Sequence, residues 1–247
     1  MLDLIFPEAC SVCDTPVSDK YPVCDSCTSE VKFVSDYSSC DRCGTPFGFF
    51  SGDSQGAADT APPPAASGHL CGRCLRGGFS FDRARSVVIY EGMMRDMIHE
   101  FKYRGRLGLE GFLVSLMIER FPYPRDVFNV VVPVPMHITK LREREYNQSA
   151  VLAYGLARSL GVECGLRALR KIRDTRPQFE LGNEEERRRN VRGAFSAAFP
   201  GAFKDKSVLL VDDVFTTGST SDECSREILK SGAARVTVFT LSRAKGI

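Results

Sequence analysis

The segment that most constrains the fold of this chain is VLLVDDVFTTGST, at residues 208–220. Four consecutive aliphatic residues indicate a strand that is buried on both faces of a parallel sheet, and the acids Asp212 and Asp213 follow it directly. A short loop of hydroxylated residues comes next. Thr220, with Glu223 three positions further on, predicts a capping box that opens a helix after this loop. The expected order is therefore a buried strand, two acids, a small loop and a helix.

The loop has the composition of a phosphate-binding site, with the residues Thr216, Thr217, Gly218, Ser219 and Thr220. A helix N-terminus presents free backbone N–H groups and the positive end of the helix dipole, which both favour an anion. Glycine lets the backbone approach that anion closely, and the hydroxyl groups add donors. Asp212 and Asp213 are suited to accept hydrogen bonds from neighbouring sugar hydroxyls, directly or through hydrated Mg2+. The alternative is a solvated acidic strand end with an ordinary capped turn. The Gly-x4-Gly-Lys-Ser/Thr spacing of a P-loop is absent.

Eight of the ten cysteines form four Cys-x-x-Cys pairs, which are Cys10/Cys13, Cys24/Cys27, Cys40/Cys43 and Cys71/Cys74. In a chain without a recognisable secretory signal, such pairs favour metal ligation over disulfides. Two pairs supply four thiolates to one tetrahedral Zn2+ and leave no open position, so two structural zinc sites are expected. Pairing in sequence order is the simpler arrangement, and a cross-braced arrangement of first with third and second with fourth stays open. Redox dithiols and an iron–sulfur cluster are the alternative uses of these thiols.

Charge is distributed unevenly along the 247 residues. Residues 1–80 hold five Lys/Arg and ten Asp/Glu, while the rest of the chain carries a net charge of +7. That charge suits phosphate ligands but is too dilute to predict a nucleic-acid interface. We expect a double zinc-ribbon module at 1–80 and an α/β domain at 81–247. Within the module, residues 48–69 are rich in Ala, Pro, Ser, Gly and Asp and are expected to form a mobile loop.

No apolar run approaches the about 18 residues that a membrane-spanning helix requires. The apolar stretch at residues 1–6 is also too short for a signal peptide. The sequence therefore predicts a cytoplasmic protein without membrane insertion.

Downstream of the cysteines, apolar strands alternate with helices, which predicts a doubly wound parallel α/β sheet. Strands are expected at residues 85–90, 127–132, 195–199 and 235–241. Helices are expected at residues 93–101, 107–121, 149–160 and 184–189. Pro133 and Pro135 predict a turn at the carboxyl edge of the sheet, where ligands of open α/β sheets bind.

Positive side chains in three further segments are candidates for contact with a polyphosphate. One segment is FKYRGR at 101–106, the next is RERE at 142–145, and the third spans 170–192 and suits a mobile lid. The alternative is that these charges lie on solvated loops and helix ends without a ligand. The candidate residues are Lys102, Arg104, Arg142, Arg173, Arg176 and Arg188.

Together these features resemble the ComF family, bacterial proteins that combine an N-terminal zinc ribbon with a type I phosphoribosyltransferase-like domain. The resemblance covers almost the whole chain. It is carried by the cysteine pairs, FKYRG at 101–105, VPVP at 132–135, the segment 142–148, DTRPQ at 174–178, the segment 187–195, and the segment 208–220. The last of these resembles the phosphoribosyl pyrophosphate (PRPP) motif of type I phosphoribosyltransferases at nearly every position. Glu145 departs from the pattern, because it stands where the family usually has glycine.

The resemblance implies a role for each part of the site. Asp212 and Asp213 would bind the ribose hydroxyls of PRPP, and residues 216–220 would bind its 5′-phosphate. Residues 173–178, with Arg188 and Asn190, would belong to a mobile hood. The pyrophosphate loop would consist of Val134, Pro135 and Met136.

Two classes of function follow from this resemblance. The first is a phosphoribosyltransferase in which an unidentified nitrogen acceptor displaces pyrophosphate from PRPP with the help of Mg2+. The second is a non-catalytic PRPP- or nucleotide-binding accessory protein of DNA uptake in natural competence. In that role the zinc ribbon would contact single-stranded DNA or a DNA-uptake protein.

Overall fold

The computed structural model describes residues 9–17, 22–47, 68–103, 107–176 and 181–244. Most of the predicted mobile loop, residues 48–67, lies outside these ranges. Arg104 also lies outside them.

The centre of the fold is a parallel sheet of five strands in the order β1-β7-β6-β2-β3, accompanied by a separate antiparallel pair formed by β4 and β5. The strands are β1 (Arg83–Ile89), β2 (Val130–Pro133), β3 (Glu163–Cys164), β4 (Leu169–Lys171), β5 (Phe195–Ala197), β6 (Ser207–Phe215) and β7 (Arg235–Arg243). The predicted strand at 195–199 exists, but it pairs with β4 rather than joining the parallel sheet.

Helices cover both faces of this sheet, as the alternation of elements predicted. They are α1 (Asp25–Ser29), α2 (Gly72–Leu75), α3 (Gly92–Tyr103), α4 (Glu110–Glu119), α5 (Ile138–Arg144), α6 (Gln148–Leu160), α7 (Glu184–Val191) and α8 (Ser219–Lys230). Short 3-10 turns lie at Val34–Asp36, Leu107–Leu109 and Arg125–Val127. None of the helices in the described part of the chain is long and apolar enough to cross a membrane.

The two faces of β6 divide the hydrophobic core. Leu209 and Val211 pack with α3, α4 and α6, whereas Val208 and Leu210 pack with α8 and the β4–β5 pair. This division follows from the alternation of side chains along a strand. Both faces are apolar, so β6 forms a central strand with β2 and β7 as its neighbours.

The start of α8 differs from the predicted capping box. Gly218 is the N-cap residue, has a φ of 74°, and no side-chain cap bond is made there. Thr220 is therefore the second helical residue, where its side chain cannot act as the N-cap acceptor. The left-handed turn at Gly218 moves the helix start two residues earlier than the Thr-x-x-Glu pattern suggests.

The two cysteine-rich units lie against the open side of the edge strand β1. Phe33 forms an antiparallel bridge with Val88, and the Ile89 N–H donates to the Lys32 carbonyl at 2.9 Å. The Ala84 N–H donates to the Arg42 carbonyl at 2.7 Å. These bonds satisfy backbone groups that an edge strand otherwise leaves unpaired.

The residue at 145 adopts the conformation that glycine favours. Glu145 follows α5 with a φ of 68°, in the left-handed region. At a position that resembles one usually held by glycine, a residue with a Cβ thus adopts the left-handed conformation, which costs roughly 1–2 kcal/mol.

Replacing this residue is expected to relieve the strain. Glu145→Gly should raise the Tm by about 2–4 °C for each kcal/mol of strain that is relieved, the conversion for a chain of this size. The matched control is Glu143→Gly, because Glu143 is an exposed residue within α5 where glycine costs roughly 0.5–1 kcal/mol. Differential scanning calorimetry of both variants is the measurement. A lower Tm for both would mean that Glu145 is not strained.

Candidate functional site

A cleft of about 310 Å³ opens at the carboxyl ends of β2 and β6. Its floor is formed by the acids of β6, one wall by the turn after β2, and the other by the loop before α8. The carboxyl edge of an open parallel sheet is the expected location for a ligand. The predicted residues that line it are Lys102, Val134, Pro135, Met136, Asp212, Asp213, Thr216, Gly218 and Thr220.

Two adjacent carboxylates face this cleft with different partners. Lys102 Nζ, at the end of α3, lies 2.9 Å from Asp213 Oδ2. Ser149 Oγ, in the first turn of α6, donates to Asp212 Oδ1 at 2.7 Å, and the Asp213 N–H donates to the same oxygen at 3.0 Å. Two helices that pack on one face of the sheet therefore supply the groups that hold the acids.

The electrostatics of the pair follow from this unequal partnership. Burial raises the pKa of Asp212 to about 7, and the neighbouring charge of Asp213 adds to this effect. Burial disfavours the charge of Lys102, but the carboxylates of Asp213 and Asp212 outweigh it and raise the Lys102 pKa. Asp213 is thus balanced by a lysine, whereas Asp212 is balanced in part by a proton near neutral pH.

The loop before α8 has a backbone that requires glycine. Gly218 has a φ of 74°, and an added Cβ would lie 2.4 Å from Phe215 Cζ. Two of the predicted hydroxyl groups are already paired, because Thr217 Oγ1 and Ser219 Oγ lie 2.9 Å apart. Thr216, Gly218 and Thr220 line the cleft. The N-terminus of a 12-residue helix therefore faces the space above the acids.

The turn after β2 is fixed by backbone bonds on both sides. The Val134 N–H donates to the Val211 carbonyl at 2.8 Å, and Asn147 Nδ2 donates to the Val134 carbonyl at 3.0 Å. Pro135 and Met136 follow along the same wall of the cleft. This wall is thereby tied to both β6 and the N-cap of α6.

Three basic side chains that the sequence analysis did not select line the cleft: Lys140, Arg144 and Lys171. Lys140 and Arg144 are four residues apart in α5 and so share one face of that helix. Lys171 shares a face of β4 with the buried Leu169, two residues before it. Burial and the positive charge of Lys140 lower the pKa of Lys171. Helix and strand periodicity were the signals that could have identified these residues.

Four predicted arginines do not line the cleft. Arg142 is exposed on α5, and Arg188 is exposed on α7 while its neighbour Arg187 is buried. Arg173 Nη2 donates to the carbonyls of Asn190 and Arg192, each at 2.8 Å. Arg176 is exposed, and its backbone exchanges bonds with the Asn190 side chain. Their role in binding PRPP stays a prediction.

The eight paired cysteines form two clusters in sequence order: Cys10, Cys13, Cys24 and Cys27, then Cys40, Cys43, Cys71 and Cys74. The four thiol sulfurs of each cluster all lie within 4.8 Å of one another. In each cluster one contact between pairs is 3.6 Å, close to the about 3.8 Å that tetrahedral Zn–S bonds of about 2.3 Å require.

Backbone amides support a metal in both clusters. The Cys24 N–H donates to Cys10 Sγ at 3.4 Å, and the Cys71 N–H donates to Cys40 Sγ at 3.3 Å. Such bonds stabilise thiolates, so the donor sets fit two structural Zn2+ ions. The sequential arrangement is thus the one adopted, and the cross-braced arrangement is not.

The fold and the site define a parallel α/β protein with a cleft at the carboxyl ends of β2 and β6 and two four-cysteine clusters. Residues 1–75 match the profile of a double zinc ribbon domain. Three similar proteins are the DNA utilization protein YhgH of Escherichia coli K12, competence protein F of Haemophilus influenzae and competence protein ComFC of Bacillus subtilis. They are 28%, 26% and 27% identical to this chain, respectively. The aligned regions span 97%, 91% and 90% of this chain and 99%, 92% and 84% of those proteins. The resemblance to ComF proteins that the motifs indicated is therefore confirmed.

Solved structures of phosphoribosyltransferases are also among the similar proteins. A purine phosphoribosyltransferase from Pyrococcus horikoshii has a TM-score of 0.35 and 17% identity, covering 56% of this chain and 84% of that one. A glutamine PRPP amidotransferase from Bacillus subtilis has a TM-score of 0.36 and 24% identity, covering 53% of this chain and 25% of that one. At such scores the likeness carries no argument about function.

The connectivity of the cysteine clusters can be tested by counting zinc. Wild-type protein should contain two zinc ions per chain, one for each cluster. The double variant Cys13→Ser, Cys27→Ser changes one cluster and should retain one ion. The variant Cys13→Ser, Cys43→Ser changes both clusters and should lose both. Elemental analysis of purified protein is the measurement, with Cys164→Ser as the control outside the clusters. The opposite result for the two double variants would indicate cross-bracing.

The raised pKa of Asp212 predicts a dependence of stability on pH. The folded protein holds this proton up to a pH of about 7, whereas the unfolded carboxyl releases it near its ordinary value of 3.8. Wild-type stability from this group is therefore fully present below pH 3.8 and is lost as the pH rises towards 7. Asp212→Asn is neutral at every pH and keeps an oxygen that accepts from Ser149. The Tm of Asp212→Asn minus that of wild type should be larger at pH 8 than at pH 5.

Two further variants control this measurement. Asp126→Asn changes an exposed carboxyl and should give no such difference in Tm between the two pH values. Asp213→Asn leaves Lys102 buried without its ion pair, so it should lower stability by roughly 2–3 kcal/mol, less than for a fully buried pair. A constant effect of Asp212→Asn from pH 5 to pH 8 would refute the raised pKa.

Proposed function

We propose that the cleft binds PRPP. The observation that carries this proposal is the placement of two carboxylates and a helix N-terminus on one small cleft, at a single edge of the sheet. Carboxylates are acceptors for the vicinal hydroxyls of a ribose, and a helix N-terminus is a site for its 5′-phosphate. A ligand that carries both groups in close succession fits this arrangement better than a phosphate or a sugar alone.

Positive charge next to these groups suits the pyrophosphate of PRPP. Lys140 and Arg144 of α5 and Lys171 of β4 line the cleft beside the turn at Val134–Met136. The lowered pKa of Lys171 reflects burial and the nearby Lys140, and a polyanion between these lysines would relieve their repulsion. The cleft therefore has acceptors for the sugar at its floor and cations for phosphate at its rim.

Mg2+ is proposed to arrive with the ligand. Oxygen donors are present, but Asp213 is paired with Lys102 and Asp212 is partly protonated near neutral pH. The site thus offers little net negative charge to a free cation, whereas PRPP supplies phosphate oxygens that complete the coordination of a hydrated Mg2+. When bound, the ion would neutralise charge on the pyrophosphate leaving group.

The reaction that such a site supports is phosphoribosyl transfer. The bond from C1 of the ribose to the pyrophosphate oxygen breaks, a bond from C1 to an acceptor nitrogen forms, and the acceptor proton passes to solvent. Side chains of this chain would hold the ribose hydroxyls, bind the 5′-phosphate and stabilise the departing pyrophosphate. The acceptor is unidentified, and no residue is nominated as its base.

The PRPP proposal is tested by isothermal titration calorimetry with and without Mg2+. Wild type should bind PRPP in the micromolar range with a dependence on Mg2+. Asp212→Asn removes a charged acceptor and should weaken binding by about tenfold or more. Asp126 is exposed and does not line the cleft, so Asp126→Asn should bind as wild type does. Absence of binding by folded, zinc-loaded wild type at millimolar PRPP would refute the proposal.

A second candidate function is motivated by the names of two relatives, which are competence proteins. In this role the chain is an accessory protein of DNA uptake, and PRPP or a nucleotide acts as a bound ligand without turnover. The zinc ribbons then contact single-stranded DNA or a partner protein. Fluorescence anisotropy of a labelled single strand against salt concentration tests DNA contact, because phosphate contacts give a linear fall of log K with log salt. Pyrophosphate release in the presence of cell extract favours the enzyme instead.

A further inference from the structure

One arginine of the second cysteine cluster contacts the loop before α8. Arg73 lies in α2, between the ligand positions Cys71 and Cys74. Its Nη1 donates to the carbonyl oxygen of Thr217. Its guanidinium carbon lies 4.2 Å from the centre of the Phe79 ring, which fixes the plane of the group from one side. A side chain anchored in the ribbon thus contacts the backbone of the loop that lies next to the cleft.

The same guanidinium also reaches the segment that the resemblance assigns to the hood. Arg73 Nη2 lies 2.9 Å from Glu184 Oε1, and Glu184 is the first residue of α7. The Arg73 side chain is about a quarter exposed, so solvent screens this pair only in part. One planar group with donors on two sides therefore joins the ribbon, the loop before α8 and α7. Arginine can do this because its donors form a rigid fork, which a lysine lacks.

The bond to Thr217 has a consequence for the neighbouring N–H. A peptide unit is planar and trans, so its carbonyl and its N–H point in opposite directions. When the Thr217 carbonyl points to Arg73, the N–H of Gly218 points away from the ribbon. Gly218 lines the cleft and has a φ of 74°. Because glycine has no Cβ, its backbone can adopt several other conformations that are closed to other residues. A contact that selects one arrangement therefore matters at this position.

We propose that Arg73 is a positioning residue that orients the loop before α8 for phosphate binding and couples this loop to α7. The proposal rests on the proposed PRPP site, and it assigns to the second zinc ribbon a part in ligand affinity. The first cluster has no equivalent contact among the described residues. Its buried members Cys10 and Cys27 pack with α3 and α4, on the opposite face of the sheet from the second cluster.

The main test compares Arg73→Met with Arg76→Met. Both positions belong to the same ribbon, but Arg76 is exposed at the end of α2. Calorimetry should give an about ten- to hundredfold higher Kd for PRPP in Arg73→Met, which is within the usual range of coupling between a ligand site and a contact outside it. Arg76→Met should bind as wild type does. Arg73→Lys should recover only part of the affinity, because it keeps the charge without the fork.

Hydrogen–deuterium exchange of the ligand-free variants supplies a measurement that does not depend on PRPP. Amides of residues 214–220 should exchange faster in Arg73→Met, while amides of β1 and of the first cluster should exchange at wild-type rates. Unchanged exchange of this loop would overturn the positioning role, even if wild type failed to bind PRPP. Faster loop exchange with unchanged PRPP affinity would overturn its link to binding.

Glu184→Gln separates the coupling to α7 from the contact with the loop. This change removes one charge of the pair at a half-exposed position and is expected to leave the fold intact. It should accelerate exchange in α7 and raise the Kd less than Arg73→Met does. If Arg73→Met fails to fold, Glu184→Gln still decides: wild-type exchange in α7 and a wild-type Kd would overturn the coupling.

Discussion

The site depends on how the fold neutralises two adjacent carboxyl groups at the end of a buried strand. Asp212 and Asp213 are consecutive residues of β6 that face one cleft and meet different partners. Lys102, from the end of α3, balances Asp213 at 2.9 Å. Ser149 and a proton balance Asp212, whose pKa rises to about 7 through burial and the charge of Asp213. The packing of α3 and α6 is therefore also the electrostatic support of the cleft.

This balance links stability to binding. A neutral Asp212 favours the folded state, whereas hydrogen bonds from ribose hydroxyls favour the ionised carboxylate. A ligand that donates to Asp212 would therefore lower its pKa, and binding near neutral pH would release protons from the protonated fraction. Such a trade-off between stability and function is common where a site requires a buried charge.

The two cysteine clusters play unequal parts in the architecture. Both satisfy the open edge of β1, the first through Lys32 and Phe33 and the second through Arg42. The first cluster packs on the face that holds α3 and α4, and the second packs on the face that holds α8. The second is also bonded to the carboxyl end of β7, the strand next to β1, because Arg243 Nη1 donates to the Cys43 carbonyl at 2.6 Å. The unit next to the cleft is thus tied to the strands that carry it.

Local patterns in the sequence determined the elements and most of the central site. The aliphatic run before Asp212 is typical of a central parallel strand, and the cysteine spacing admits few uses besides zinc. Long-range geometry was not encoded locally. Lys140, Arg144 and Lys171 face the cleft, whereas Arg142 and Arg188 do not, because the direction of each side chain depends on how its helix or strand packs.

The resemblance to ComF proteins likewise came from the motifs, whereas for the cysteines the sequence favoured the sequential pairing only as the simpler one and left the cross-braced pairing open. The choice between them required the distances between sulfurs, since either pairing is compatible with the same spacing along the chain. The raised pKa of Asp212 and the bond between Arg73 and Thr217 belong to the same category. The bond joins residues that lie 144 positions apart in the chain. The pKa of Asp212 depends on burial by several elements and on Ser149, which lies 63 positions away. The sequence by itself therefore determined which groups the protein possesses, and only the tertiary structure decided which of them meet, because burial and charge act through space.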